Sequence, residues 1–389
     1  MPKSLTMPQP AERTALLGFS DIVKIRNRVL ALKQAGTPVL QLEGGEPFSP
    51  TPTFIKNAMM AALEADQTRY APSSGVPSLV EAIREKLKVS NRILCDPSSI
   101  IVVAGGMHGL FCTFQAAVNP GDEVLFFSPY WTPINDLVTF SGGIPVRVPW
   151  EEVRAGSLEG SLRKRLTDKT RVIYVNSPSN PTGDVLQHSQ LETIAQFAVE
   201  NDLIVISDEA YEDFVYDGVH ESIGSIPGMG DRTISVYTLS KSYSMTGWRI
   251  GYLTAPEPLM AVIRKLVLNS VNGVSTPTQM AAVAAFTDEK AHVDHMRSEY
   301  RMRRDLLLDA LRNAGLDCPT PPGAFYLFVN VKERLGADSW KAMNEMLERT
   351  SIATVPGVVF GPEGEGHLRM SYSISTETLE LVAAALMKL

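Results

Sequence analysis

Residues 99–118, SIIVVAGGMHGLFCTFQAAV, carry no formally charged side chain. A membrane span needs about 20 apolar residues, so length alone admits one. Gly105-Gly106 argues against it, because the pair splits the stretch into a short β-branched run and a longer helix-like run, the pattern of strand, turn and helix. The same unit recurs downstream. EVLFF (123–127), a helical pattern at 133–140, IPVRV (144–148), RVIYVN (171–176), a helical pattern at 189–201, LIVIS (203–207), TISVYT (233–238) and IGYLT (250–254) follow in order. Short apolar strands alternating with amphipathic helices predict an α/β fold: a mostly parallel sheet with helices on both faces, in three layers.

Upstream, 20–36 reads as a helix with Ser20 at its N-cap, Ile22, Ile25, Val29 and Leu32 on one face, and Gly36 closing it. PVLQL is a short strand, and EGGEPFSPTP (43–52) is too rich in Gly and Pro for regular structure. A helix at 53–65 and the punctuated stretch RYAPSSGVPSLVEAI (69–83) lead into the α/β region. Beyond about 275, long helices precede FYLFVN, HLRMSY and a terminal helix, which predicts a smaller α+β domain. At 389 residues the chain exceeds one ordinary core, and we expect a large domain at 46–275, with 1–45 and 276–389 forming the small one.

A net charge of −7 argues against a nucleic-acid-binding surface. The basic run RMRR (301–304) falls in an expected helix at 294–313 and reads as a solvated face. MPKSLTMPQPAERTALL lacks the apolar core of a signal peptide, and Cys95, Cys112 and Cys318 have no paired spacing, so a cytoplasmic protein with reduced thiols and no membrane partner is expected. His292 and His295 lie three apart on an expected helix, but nothing completes a metal cluster; they read as solvent-facing, and no metal is expected.

In open α/β sheets ligands bind beyond the carboxyl ends of the strands. Polar motifs gather there. AGGMHG follows SIIVV, SPYW follows EVLFF, NSPSNPTG follows RVIYV, SDEAY follows LIVI, and TLSK follows ISVY. The Gly-Gly turn offers bare amides and a helix N-terminus, which suit a phosphate. Trp131 could lie on an aromatic ring, although a single Trp is more often core. Asp208, the first charge after its strand, would alone be read as a helix cap. YTLSKSYSMTGWRIG (237–251) sets Lys241 at a strand end, with Arg249 eight residues later. A lysine amine attacks carbonyls when its surroundings favour the neutral form, and the Thr238 and Ser240 hydroxyls with Arg249 could hold a phosphate. Each residue has an ordinary structural explanation when taken singly. Together with Asn180 and Tyr211 they meet the needs of a pyridinium cofactor: an acid beside the ring nitrogen, donors beside the phenolic oxygen, a phosphate clamp and an amine for the aldehyde.

On LEGGEP, RYAPSSGVPSLVEAI, AGGMHGL, SPYW, NSPSNPTG, SDEAYEDF, TLSKSYSMTGWRIG, PPGAFYLF and HLRMSYS, from about 20 to 388, the chain resembles the class I/II aminotransferases of the fold-type I pyridoxal-phosphate enzymes. The resemblance implies that Lys241 is the Schiff-base lysine and proton carrier, and that Asp208 keeps the ring nitrogen protonated. Asn180 and Tyr211 would bind the ring oxygen, and Trp131 would stack on the ring. Arg249, Thr238, Ser240 and the amides of Gly106 and Met107 would hold the phosphate. Arg369 would grip the substrate α-carboxylate, helped by Asn180 and the Gly45 backbone. Tyr70 matches a tyrosine that reaches the neighbouring subunit's phosphate, which implies a homodimer.

Three positions depart from the family pattern. Thr238 stands where Ser or Gly is common, Phe48 makes EPF of the frequent EPD, and Met107 replaces a lysine that some relatives acting on acidic substrates carry. We therefore expect a neutral or apolar amino donor, with Phe48, Tyr130 and Met107 shaping the pocket, and a 2-oxo acid acceptor in a ping-pong cycle. A carbon–sulfur β-lyase on the same fold is the alternative. A non-enzymatic effector domain of a helix-turn-helix regulator is disfavoured, since only about twenty residues precede the first helix.

Overall fold

The computed structural model describes residues 11, 14, 15, 17–287 and 289–389; most of the opening stretch read above for an export signal lies outside them. Near the start, β1 (Leu40–Gln41) follows helix α1 (Asp21–Gln34), and α2 (Thr53–Glu64) and α3 (Pro77–Ser90) precede the α/β region. Its strands are β2 (Ile100–Val103), β3 (Glu123–Ser128), β4 (Ile144–Pro149), β5 (Thr170–Asn176), β6 (Ile204–Asp208), β7 (Thr233–Thr238) and β8 (Gly251–Thr254). They form one sheet of order β2-β8-β7-β6-β5-β3-β4. Helices cover both faces, so β2 and β8 are buried at every position and read as unbroken apolar runs rather than alternating ones. The stretch at 99–118 resolves as β2, the Gly105 turn and α4 (Gly106–Ala117). No helix among the described residues is long and apolar enough to cross a membrane.

The sheet is mostly parallel, as expected, with β8 antiparallel to both β2 and β7. That reversal positions the site. Thr238 pairs with Gly251, so the segment entering β8 starts on the rim where β7 ends, and Arg249 arrives beside the turn that follows Val103.

Towards the C-terminus, β9 (Tyr326–Asn330), β11 (Val355–Pro356) and β12 (His367–Ser371) form an antiparallel sheet, and β10 (Ile352–Ala353) pairs with β1. The helix Glu289–Asn313 and the helix Thr376–Leu386 pack together there, over a core that includes Leu307, Leu311, Phe325, Leu327, Met370 and Val382. The helix Thr276–Thr287 packs on α2 and α3. Gln279, fully buried, explains this attachment: its Oε1 accepts from the Val76 amide at the start of α3 at 2.7 Å.

Two surface expectations are corrected. Within RMRR, Arg303 and Arg304 are buried. Arg304 donates to Asp217 Oδ2 (2.8 Å) and the Pro321 carbonyl (3.0 Å), while the Arg303 guanidinium lies 5.0 Å from the Phe48 ring centroid and 5.4 Å from that of Tyr300. Carboxylate and carbonyl partners compensate the lost hydration of Arg304, while Arg303 rests against aromatic faces with its Nε and Nη1 unpaired among the described residues. His292 is not solvent-facing either: its ring stacks on Tyr243 at 5.4 Å and its Nε2 meets the Ser242 carbonyl at 2.8 Å.

Candidate active site

At the carboxyl rim of the large sheet a cavity of about 360 Å³ gathers residues from nine separate stretches of chain, from Ile22 to Arg369. Gly45, Gly106, Met107, Trp131, Asn180, Asp208, Tyr211, Thr238, Ser240, Lys241, Arg249 and Arg369, all expected from the sequence, line it. Tyr70 does not; its side chain is 93% exposed on the surface of the chain.

Lys241 leaves β7 and donates from Nζ to the Gly45 carbonyl at 2.7 Å. Burial depresses its ammonium to about 8; the Glu46 carboxylate works against this shift, and the Arg369 and Arg249 charges add to it. Asp208 closes β6 and is buried. Its Oδ2 accepts from the Tyr174 hydroxyl at 2.8 Å, and its Oδ1 from the Ala210 amide at 3.2 Å. Burial lifts this carboxyl to about 6, against the pull of those two donors.

Asn176, at the end of β5, ties the neighbouring strand ends together: its Nδ2 donates to the Asp208 carbonyl at 3.1 Å and its Oδ1 accepts the Asn180 amide at 3.0 Å. Asn180 Oδ1 in turn accepts from Arg369 Nη1 at 3.0 Å, and Arg369 Nη2 donates to the Glu43 carbonyl at 2.8 Å. The Arg369 guanidinium lies 4.4 Å from the Tyr326 ring centroid and 4.9 Å from that of Phe360. Its Nε has no partner among the described residues. The buried hydroxyls of Tyr211 and Tyr326 meet at 2.9 Å.

On the opposite side, Thr238 Oγ1 and Ser240 Oγ are 2.9 Å apart, and Arg249 donates to the Thr246 carbonyl at 2.8 Å. Gly105, at φ +81°, caps α4; a Cβ there would lie 2.5 Å from Arg249 Nη2. A Cβ at Gly251 would lie 2.5 Å from the Tyr237 carbonyl and 3.0 Å from the Gly106 amide. Only glycine lets this backbone and the guanidinium approach so closely.

These features fit pyridoxal 5'-phosphate. The glycine turn, the amides opening α4 and Arg249 would hold its phosphate, since bare amides and a helix N-terminus favour an anion. Asp208 is a buried acid whose raised pKa a pyridinium nitrogen would relieve, and Lys241 supplies an amine whose pKa, lowered to about 8, leaves it far more readily deprotonated than a solvated lysine.

Sequence reasoning missed Tyr174, Asn176, Tyr326 and Ile22. Tyr326 sits inside the PPGAFYLF motif, and Tyr174 is the one hydroxyl-bearing side chain between Arg171 and Asn176 in an otherwise apolar strand, so both left a trace. Phe48 and Tyr130, expected to shape the cavity, do not line it. The Phe48 ring is held over Arg303, its amide donating to Tyr300 Oη at 3.1 Å, and Tyr130 packs edge-on against Phe126 at 5.0 Å.

The family model described as aminotransferase class I and II matches residues 37–386. A probable aspartate/prephenate aminotransferase of Aquifex aeolicus is 41% identical over 378 residues, 95% of either chain. Aromatic-amino-acid aminotransferase 2 of Thermococcus litoralis is 39% identical over 378 residues, again 95% of either chain. Among solved structures, aspartate aminotransferase of Thermus thermophilus with maleate superposes with a TM-score of 0.93 at 36% identity, covering 98% of this chain and 99% of that one. Fold, site and kinship agree: the chain belongs to the class I and II aminotransferases of fold-type I and is a pyridoxal-phosphate-dependent transaminase.

Proposed function

We propose that this transaminase takes the amino group of a neutral or apolar L-amino acid and passes it to a 2-oxo acid in two alternating half-reactions, working as a homodimer in which Tyr70 reaches the neighbouring site. One observation carries the donor class. The cations lining the cavity are Lys241, Arg249 and Arg369, and each has a task on this reading; no further Lys or Arg among the described lining residues is left for a second substrate carboxylate. Met107, Leu110, Ile22 and Trp131 supply apolar wall instead. A pocket of this kind gains from burying a side chain and pays to desolvate a charge. Some relatives are named for aspartate and one for aromatic amino acids, so kinship alone leaves the donor open.

When bound, pyridoxal phosphate supplies an aldehyde carbon conjugated to an electron-accepting ring. Lys241 Nζ provides the amine for that carbon, and with its pKa near 8 it can take a proton from the substrate Cα and return it. The Gly45 carbonyl, 2.7 Å away, holds the amine between transfers. Arg369 fixes the substrate through a planar two-point grip on the α-carboxylate, and its bond to Asn180 ties that grip to the donors of the ring oxygen. Such orientation selects which Cα bond breaks. Asp208 would keep an anion beside the ring nitrogen, Tyr211 and Asn180 would serve the ring oxygen, Trp131 would cover the ring, and Thr238, Ser240, Arg249 and the Gly106 and Met107 amides would hold the phosphate.

The test is a steady-state panel of aspartate, phenylalanine, leucine, methionine and kynurenine against 2-oxoglutarate and pyruvate. We expect kcat/KM for the best neutral donor to exceed that for aspartate by at least roughly tenfold. A preference for aspartate would refute the donor class.

A further inference from the structure

Asp208 does not hold its position alone. In the parallel pairing of β5 with β6, Asn176 lies opposite Asp208 and Tyr174 lies opposite Ile206. Alternate residues of a strand share a face, so Tyr174 occupies the diagonal neighbour of Asp208. Its hydroxyl donates to Asp208 Oδ2 at 2.8 Å, with both side chains buried. Phe114 of α4 braces the Tyr174 ring, the centroids 6.1 Å apart. The Ala210 amide occupies the other carboxylate oxygen at 3.2 Å. One donor therefore engages each oxygen.

We propose that Tyr174 is a positioning residue of the transamination site, whose hydroxyl keeps the Asp208 carboxylate anionic and fixed for the cofactor's ring nitrogen. This inference rests on the reading of Asp208 given above and adds the residue that makes it effective. Burial disfavours an isolated carboxylate, and a donor at 2.8 Å in the same low-dielectric site offsets that cost. Tyr174 can only donate here, because burial and the Asp208 charge push its own ionisation far above the usual tyrosine range. The plain alternative is a buried tyrosine satisfying its hydroxyl at the nearest acceptor, with no bearing on the cofactor.

Equilibrium binding of pyridoxal phosphate to the cofactor-free protein, titrated across pH 5 to 9 by absorbance, separates the two. Tyr174→Phe removes one oxygen and keeps the ring packing. We expect about tenfold weaker cofactor binding at neutral pH, the loss of one hydrogen bond to a charged group. The acid limb of the affinity profile should also move to higher pH. Asp208→Asn should weaken binding as well, and adding Tyr174→Phe to it should weaken binding no further. Wild-type affinity and an unshifted profile in Tyr174→Phe, beside a weakened Asp208→Asn, would overturn the role of Tyr174 alone. A loss from Tyr174→Phe that persists undiminished in the Asp208→Asn background would overturn it too. Unchanged affinity in Asp208→Asn would remove the reading of Asp208, and the role of Tyr174 with it.

Discussion

Lys241 owes its chemistry to what surrounds it. A solvated lysine holds its proton until about pH 10.4 and is inert towards carbonyls. Here burial, reinforced by the nearby Arg369 and Arg249 charges, brings the amine to about 8, while Gly45 holds Nζ at 2.7 Å. Among the described residues lining the cavity no other side chain offers an amine, so Lys241→Ala should lower transamination by at least about a thousandfold. The fold should survive, because the side chain anchors one loop carbonyl and little else. Circular dichroism would confirm folding, dialysis would show the cofactor leaving faster than from the wild type, and turnover near the wild-type rate would refute the proposed role.

Asp208 ends β6 and Tyr211 lies in the turn that follows it, and a buried ionic network stiffens that turn. Lys86 of α3 pairs with Glu212 and donates to Asn91 Oδ1 at 2.8 Å. Asn91 Nδ2 donates to Glu212 Oε2 at 2.7 Å and Ser222 Oγ at 2.8 Å, and His220 Nε2 meets Glu209 Oε2 at 2.8 Å. The Lys86 ammonium also lies 4.7 Å from the Tyr237 ring centroid, beneath the strand that leads to Lys241. Breaking a buried pair from one side strands the other charge, so Lys86→Met should cost about 3–5 kcal/mol. Urea denaturation of the cofactor-free protein measures it, and a loss below about 1 kcal/mol would show that the pair braces nothing. None of this was legible from the sequence. The strands and their polar rim were, because doubly covered strands must be continuously apolar and their ends are where charge can first appear. Lys86 and Glu212 are 126 residues apart, and Arg304 and Asp217 are 87 apart, so no local pattern pairs them, and RMRR reads in sequence as a solvated face. The antiparallel course of β8, which brings Arg249 to the rim, was equally hidden, since an apolar run of four residues reads alike in either direction.

At the scale of the whole molecule, the site exists only because chain from Ile22 to Arg369 converges on one rim, and that convergence concentrates groups that folding alone leaves poorly matched. The sequence marked residues that line the cavity through their motifs; how far each is buried, and hence its protonation, depended on the assembled fold. Asp208 illustrates the cost. Its pKa rises from 3.8 to about 6 on folding, a penalty on the order of 3 kcal/mol once it is ionised. The sign follows from linkage. The folded protein binds this proton more tightly than the unfolded chain, so the contribution of Asp208 to stability is fully present below pH 3.8 and is lost as pH rises through about 6. On the role proposed for Asp208, pyridoxal phosphate would reverse the situation, because a protonated ring nitrogen favours the anion that folding disfavours. A ligand that binds only the folded state raises the melting temperature according to its affinity, and on the role proposed for Asp208 that affinity requires its ionised form. The rise in melting temperature on saturating the cofactor-free protein with pyridoxal phosphate should therefore be larger at pH 7.5 than at pH 5, measured by scanning calorimetry at fixed cofactor excess. In Asp208→Asn, where there is no carboxylate to ionise, the difference between the two pH values should shrink. Equal increments at both pH values in the wild-type protein would mean that the Asp208 charge does not govern cofactor binding.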